Sequence, residues 1–238
     1  MDKTLYTEGI NAIIELYNYS VKGVSKVAEE TINRAFGGVI RAEKGKLVEK
    51  MAQMMTLLAW RDVLGQDIKR IKMDRKKIKV PINDEYINNI RDENVKKIIQ
   101  KERDRFYYKI GTDVHVYIDG KFVMAIECKA YTENAMLKRI LVDATLLKKF
   151  AEVQKFVLLQ LESQLGGDYS QLNFITIGSP STRTLMSYFD IDLEIITLLK
   201  GERDIDKPIH NSSYFKELTH SSVNKAILTL SNILKSFV

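Results

Sequence analysis

Apolar residues recur at the three- and four-residue spacing of amphipathic helices in several parts of the chain. This pattern predicts four helices, over about residues 7–36, 45–60, 133–149 and 221–237. We expect Gly37-Gly38 to end the first helix and Thr132 to cap the third. The last helix is expected either to pack on the core or to join a second subunit. The charged residues 85–105 favour a partly helical connector.

A period of two follows in the middle of the chain and predicts a β-hairpin. Apolar Val114, Val116 and Ile118 alternate there with Asp113, His115 and Tyr117. Asp119-Gly120 predicts the turn, because glycine adopts positive φ without a steric penalty. Further strands are predicted at Phe122–Cys128, Lys155–Leu161, Asn173–Ile177 and Leu193–Leu199. The helix between the first two of these indicates a parallel crossover, and hence an α/β fold with a mixed sheet.

The length of the hairpin loop decides which residues Asp113 faces. A two-residue loop would pair Asp113 with Ile126 and place it on the opposite face from Glu127. A three-residue loop, Ile118-Asp119-Gly120, would pair Asp113 with Ala125, so that Glu127 becomes a neighbour on the same face. We expect the three-residue loop.

Glu127 and Lys129 are two residues apart on a strand, so both side chains leave the same face. Together with Asp113 they would place two carboxylates and an ammonium side by side. Mg²⁺ prefers hard oxygen ligands and is often held by one or two carboxylates, and a bound ion can activate water to attack a phosphodiester. The alternative is an edge hairpin with a Glu–Lys pair on its surface.

At these residues the chain resembles the PD-(D/E)xK nuclease superfamily, and within it a type II restriction endonuclease. The resemblance spans roughly residues 108 to 162 and includes the Glu127-Cys128-Lys129 strand, although Thr112 stands where the family pattern has proline. It implies that Asp113 and Glu127 bind Mg²⁺, for which Mn²⁺ can substitute, with the backbone carbonyl of Cys128 as a further ligand. It also implies that Lys129 serves the attacking water.

The resemblance carries further expectations about the site, the fold and the partners. Family members often have another glutamate on a preceding helix, here Glu49 or alternatively Glu43, although an exposed glutamate paired with a lysine is an equal alternative for Glu49. The implied fold is a restriction-endonuclease-like mixed sheet flanked by helices, with a helical N-terminal region. The implied partners are double-stranded DNA, a second copy in a homodimer and a companion DNA methyltransferase.

The composition is compatible with these expectations. The 238 residues suit one nuclease domain, with a mainly helical, basic part (1–105), a catalytic sheet core (106–200) and a helical tail (201–238). One cysteine excludes an intrachain disulfide and a cysteine-cluster metal site. No apolar run is long enough to cross a bilayer and no signal-peptide pattern is present, so we expect a cytoplasmic protein without a membrane partner.

The formal net charge of +6 favours a polyanionic partner. Predicted DNA contacts in the densest basic segment are Lys69, Arg70, Lys72, Arg75, Lys76 and Lys77. Lys138 and Arg139 on the third helix are expected to contact either phosphate or solvent. The alternative for the basic segment is a solvated helix face with compensating acids.

Two other functions remain open from the sequence. One is a structure-selective DNA repair or junction-resolving nuclease on the same scaffold. The other is a basic DNA-binding module without catalysis, which the complete set of Asp113, Glu127 and Lys129 disfavours.

Overall fold

The computed structural model describes residues 3–29, 34–167, 169 and 178–238, with side chains for residues 4–21 and from residue 45 onward within those ranges. The helices are α1 (Lys3–Glu29), α2 (Arg34–Leu58), α3 (Asp84–Asn88), α4 (Glu93–Lys101), α5 (Asn134–Ala151), α6 (Pro180–Ser187) and α7 (His220–Leu234). The strands are β1 (Ile71–Asp74), β2 (Ile78–Pro81), β3 (Tyr107–Ile110), β4 (Val114–Ile118), β5 (Lys121–Glu133), β6 (Lys155–Gln164) and β7 (Leu193–Thr197). The predicted strand Asn173–Ile177 lies outside the described residues.

Five of the strands form a mixed central sheet in the order β1-β4-β5-β6-β7. The β1, β4 and β5 strands pair antiparallel, whereas β5, β6 and β7 pair in parallel. Helix α5 connects β5 to β6, which confirms the predicted crossover. The remaining strands, β2 and β3, pair antiparallel in a separate two-stranded ribbon. The α/β fold with a mixed sheet flanked by helices is therefore confirmed.

Apolar side chains cover both faces of the sheet, and alternation along β5 assigns each residue to one of them. Ile126 and Cys128 belong to the main core, which includes residues from α1, α2 and α7. Ala125 belongs to a second cluster with residues of α5 and of the ribbon. Helix α7 thus packs on the core, one of its two predicted alternatives. Its buried residues include Val223, Ala226, Ile227, Leu230 and Leu234.

The hairpin register differs from the predicted one. The turn contains two residues, since Ile118 pairs with Lys121, and both Asp119 and Gly120 have positive φ. An irregularity then shifts the ladder, because Tyr117 pairs with Phe122 but Val116 pairs with Met124. Val123 is therefore an extra residue, a β-bulge, and the ladder continues with His115 opposite Ala125 and Val114 opposite Ile126. This shift places Asp113 opposite Glu127.

Three predicted helix boundaries are wrong. The second predicted helix begins at Arg34 and not at about residue 45. Gly37-Gly38 lie inside α2, which begins at Arg34, because glycine in a helix interior weakens the helix by only about 1 kcal/mol and does not end it by itself. Thr132 is not a helix cap but a buried residue of β5. The parallel pairing of β5 with β6 continues to Glu133, so the helix begins only after that residue.

The basic segment does not form the helix face that was its alternative interpretation. It passes through a single 3-10 turn (Ile68–Arg70), β1 and the loop that leads to β2. Residues 85–105 contain α3 and α4, as the charge pattern predicted. No helix in the described ranges is both long enough and apolar enough to span a membrane.

Candidate active site

Asp113 lies immediately before β4, and its carboxylate is bound by the neighbouring strand. The backbone N–H of Cys128 donates a hydrogen bond of 2.9 Å to Asp113 Oδ2. The preceding turn is held by His115, whose Nε2 accepts a hydrogen bond of 3.1 Å from the backbone N–H of Thr112. His115 is fully buried, and burial lowers its pKa, which favours the neutral form that accepts this hydrogen bond.

The Lys129 ammonium lies between the two predicted metal-binding carboxylates. Its Nζ contacts Glu127 Oε1 and lies 3.7 Å from Asp113 Oδ2. Burial raises the pKa of Glu127, and the ammonium opposes this only in part. Burial by itself would lower the pKa of Lys129. The negative charges of Glu127 and Asp113 outweigh this effect, so the pKa of Lys129 is raised. The three residues therefore converge at one point that favours a cation.

Glu49, on α2, reaches the same site through Arg75. The Arg75 guanidinium lies 2.9 Å from Glu49 Oε2 and 3.7 Å from Asp113 Oδ1, so it connects the two carboxylates. Burial raises the pKa of Glu49, Arg75 opposes the shift, and Asp113 adds to it. The side chain of the alternative residue, Glu43, lies outside the described residues.

Asp143 is a fourth carboxylate near the site that the sequence analysis missed. It lies on α5, and its negative charge contributes to the raised pKa of Glu127. Burial raises the pKa of Asp143 itself, while Arg139, Lys77 and Lys129 oppose that rise. The only available signal was its position on the border of the apolar stripe of α5, four residues after Arg139.

A cleft of about 390 Å³ opens beside these groups. Its lining residues are Gly45, Lys46, Glu49, Arg75, Asp113, Cys128, Lys129, Ala130, Tyr131 and Met136. Carboxylates and cations thus alternate around one opening, and the site can hold a cation together with an anion such as a phosphate. Burial raises the pKa of the Cys128 thiol, which favours the protonated form over the nucleophilic thiolate.

The donor set fits a hard divalent cation. Within the described residues, no group of three or more His, Cys, Asp and Glu side chains is arranged to hold a metal ion. Mg²⁺, however, commonly uses only one or two carboxylates and completes its coordination with water and substrate phosphate. The shared contact of Glu127 and Asp113 with Lys129 Nζ shows that both carboxylates reach a single cation.

The structure brings only some of the predicted DNA-contacting residues to this site. Arg75 lines the cleft, and Lys77 lies close enough to Asp143 to lower its pKa.

Other predicted DNA contacts lie away from the cleft. Arg70 pairs with Asp119 at 2.8 Å, at the far end of the hairpin, and Lys69 precedes Arg70 in the chain. Exposed Lys72, Lys76, Lys138 and Arg139 do not line the cleft. Arg139 pairs loosely with Asp143 at 3.9 Å.

A mixed sheet flanked by helices, with carboxylates and a lysine gathered beside one hairpin, defines a restriction-endonuclease-like α/β protein. The chain is 46% identical over 230 residues to "Type II restriction enzyme DdeI" of Desulfomicrobium norvegicum, and the match covers 94% of this chain and 95% of that enzyme. The chain therefore belongs to the family of type II restriction enzymes. No protein-family model matches the chain, and no solved structure matches it.

Proposed function

We propose that this chain is a type II restriction endonuclease that hydrolyses phosphodiester bonds of double-stranded DNA at a specific short sequence. The observation that carries the proposal is the convergence of Asp113 and Glu127 on the Lys129 ammonium, in a chain 46% identical to a type II restriction enzyme. The whole chain, residues 1–238, would act as a single nuclease domain of the PD-(D/E)xK superfamily.

We assign the metal site to Asp113 and Glu127, with the backbone carbonyl of Cys128 as a third oxygen ligand. The proposed ion is Mg²⁺, for which Mn²⁺ can substitute; when bound, it neutralises phosphate charge and acidifies water. Three features support the assignment: hard oxygen donors, two carboxylates sharing one cation, and an adjoining cleft.

The chain's own cations supply the remaining functions at the scissile phosphate. Lys129, whose pKa is raised, is a positive charge that orients the attacking water and stabilises negative charge on the phosphate. Arg75 holds Glu49 and Asp113 in place and is exposed on its other side, where it can bind phosphate. Glu49 joins the site as an auxiliary carboxylate that binds metal directly or through water.

The proposed partners follow from the same function. Double-stranded DNA is the substrate, and the basic residues of the loop between β1 and β2 contact its backbone. A homodimer would match a two-fold symmetric recognition sequence, and a companion DNA methyltransferase would protect host DNA.

A direct test is digestion of supercoiled plasmid and of a long linear DNA by the purified chain in Mg²⁺. We expect a fixed set of discrete fragments, loss of cutting in EDTA and recovery with Mg²⁺ or Mn²⁺. Sequencing the fragment ends gives the recognition sequence and the cut position. Cutting confined to branched DNA, or an unspecific smear, would contradict a restriction activity.

A further inference from the structure

The β2–β3 ribbon has two chemically different faces. On its inner side, Val80 and Ile110 are buried against Ala144 and Leu147 of α5. On its outer side, alternation places Lys79, Lys109 and Tyr107, all of them exposed. Burial of the inner face fixes the ribbon to the body of the protein, so the outer face is a surface of defined orientation.

The outer face concentrates positive charge in a way that does not favour folding. Lys79 and Lys109 are direct cross-strand partners, and like charges in that position are destabilising. Their ammonium nitrogens lie 4.4 Å and 5.8 Å from the ring centroid of Tyr107. Neither strand contains an acidic residue, and no ion pair forms at either lysine in the described part of the chain. Such a pair is stabilised once an anionic partner binds.

At one end of the ribbon, where Ile78 pairs with Ile110, both strands connect to the candidate active site. Strand β2 follows the loop of Arg75, Lys76 and Lys77, and β3 continues through Gly111-Thr112 to Asp113. Lys109 is only four residues from Asp113, so their Cα atoms are separated by at most about 14 Å. This limit is comparable with the width of the major groove, about 12 Å, so a duplex with one phosphate at Asp113 is wide enough to reach the ribbon.

We propose that the outer face of the ribbon is a DNA-binding surface, on which Lys79 and Lys109 bind backbone phosphates beside the scissile bond and Tyr107 holds the two ammonium groups apart. The inference rests on the proposed function and assigns part of the duplex-binding surface to residues that are not among the proposed catalytic groups. Lysines that bind phosphates position the duplex and do not discriminate bases.

The test measures the salt dependence of DNA binding. The affinity for a labelled duplex that contains the recognition sequence is measured by fluorescence anisotropy in Ca²⁺ or EDTA. The proteins compared are the unaltered chain, Lys79→Gln, Lys109→Gln, the double variant and Lys235→Gln. Each of the first two substitutions should reduce the slope of log K against log salt by about 0.9, and the double variant by about twice that. At about 0.1 M salt, each substitution should weaken binding about tenfold. Exposed Lys235, on the C-terminal turn, should leave both quantities unchanged.

Two further measurements guard against misfolding. Lys79→Arg and Lys109→Arg keep the charge and should restore the slope of the unaltered chain. Lysine acylation followed by mass spectrometry needs no variant, and DNA should protect Lys79 and Lys109 but not Lys235.

The outcomes separate the two proposals. If the unaltered chain cleaves DNA at one sequence while the glutamine variants keep its slope and DNA protects neither ribbon lysine, the ribbon proposal is overturned and the proposed function stands. The ribbon proposal is likewise overturned if the substitutions change only self-association. A chain that neither binds nor cleaves DNA overturns both.

Discussion

The backbone N–H of Cys128 donates a hydrogen bond to Asp113 Oδ2 at 2.9 Å, and this bond joins the two halves of the candidate site. The donor belongs to the strand that carries Glu127 and Lys129, so the backbone of β5 orients the aspartate of the preceding segment. A charged acceptor makes such a bond stronger than one between neutral groups. The orientation of Asp113 therefore depends on the strand register and not on the side chain of Cys128.

Replacing Cys128 with alanine tests this distinction. Because only backbone atoms of Cys128 act at the site and its thiol is buried in the main core, Cys128→Ala should keep DNA cleavage within about threefold while lowering the free energy of unfolding by about 1 kcal/mol. Cleavage assays and urea denaturation measure the two effects. A complete loss of cleavage by a folded Cys128→Ala variant would show that the thiol takes part.

Removing a negative charge from the metal site should abolish metal binding and cleavage together. Asp113→Asn and Glu127→Gln keep the shape and one acceptor oxygen, but they replace the other oxygen with an NH2 group and lose the charge that a divalent cation needs. We expect cleavage to fall by at least about 100-fold, since even residues behind the ligands of metal sites account for about 10–100-fold. Isothermal titration with Mn²⁺ should show the matching loss of affinity.

The matched control for these variants is Asp119→Asn. Asp119 lies in the hairpin turn at φ +49°, a conformation that asparagine tolerates, and it pairs with Arg70 at the end of the hairpin remote from the site. This variant should cleave and bind metal as the unaltered chain does. Undiminished cleavage by Asp113→Asn or Glu127→Gln would remove the metal-site assignment.

Arg75 should set the acid limit of activity. Its guanidinium opposes the burial that raises the pKa of Glu49, so Arg75→Gln should raise that pKa further. In its proposed role Glu49 assists the metal only as a carboxylate, so the acid limb of the profile of kcat/KM against pH should move to higher pH. Lys50→Gln is the control, since Lys50 is an exposed cation next to Glu49 that does not line the cleft and does not shift the pKa of Glu49. An unchanged acid limb in Arg75→Gln would separate Glu49 from the activity.

Stability should depend on an ion pair remote from the site. Glu162, on β6, is only 4% exposed, and Lys216 Nζ lies 2.8 Å from its Oε1. The backbone carbonyl of Lys216 also accepts a 2.7 Å hydrogen bond from the Tyr17 hydroxyl, which ties α1 to the same segment. Lys216→Met leaves a buried carboxylate unpaired, so we expect the free energy of unfolding to fall by about 3 kcal/mol in urea denaturation.

Two comparisons check that explanation. Lys207 pairs with Asp204 at 3.0 Å on the surface, and Lys207→Met should leave stability nearly unchanged because water screens exposed pairs. The double variant Glu162→Leu with Lys216→Met should recover much of the loss, because no unpaired charge remains. An equal loss in the single and double variants would mean that packing, not charge, is responsible.

The parts of the fold that local patterns encode were predicted from the sequence. The Asp119-Gly120 turn, the apolar stripe of α5 and the strand–helix–strand crossover all follow from periodicities over a few residues. The side-chain directions of Glu127 and Lys129 follow in the same way, because residues two apart on a strand share a face. The sequence by itself therefore determined the directions of these side chains, and the proposed site rests on them together with Asp113.

Tertiary structure decided what depends on partners distant in the chain. The bulge at Val123, and not a three-residue turn, places Asp113 opposite Glu127, because the ladder accommodates an extra residue that no local pattern reveals. The lysine-rich segment forms strand β1 because it pairs antiparallel with β4, which is distant in the chain. Arg75 and Asp143 reach the site through packing of separate elements, so their roles follow from three-dimensional proximity, which residue periodicity does not encode.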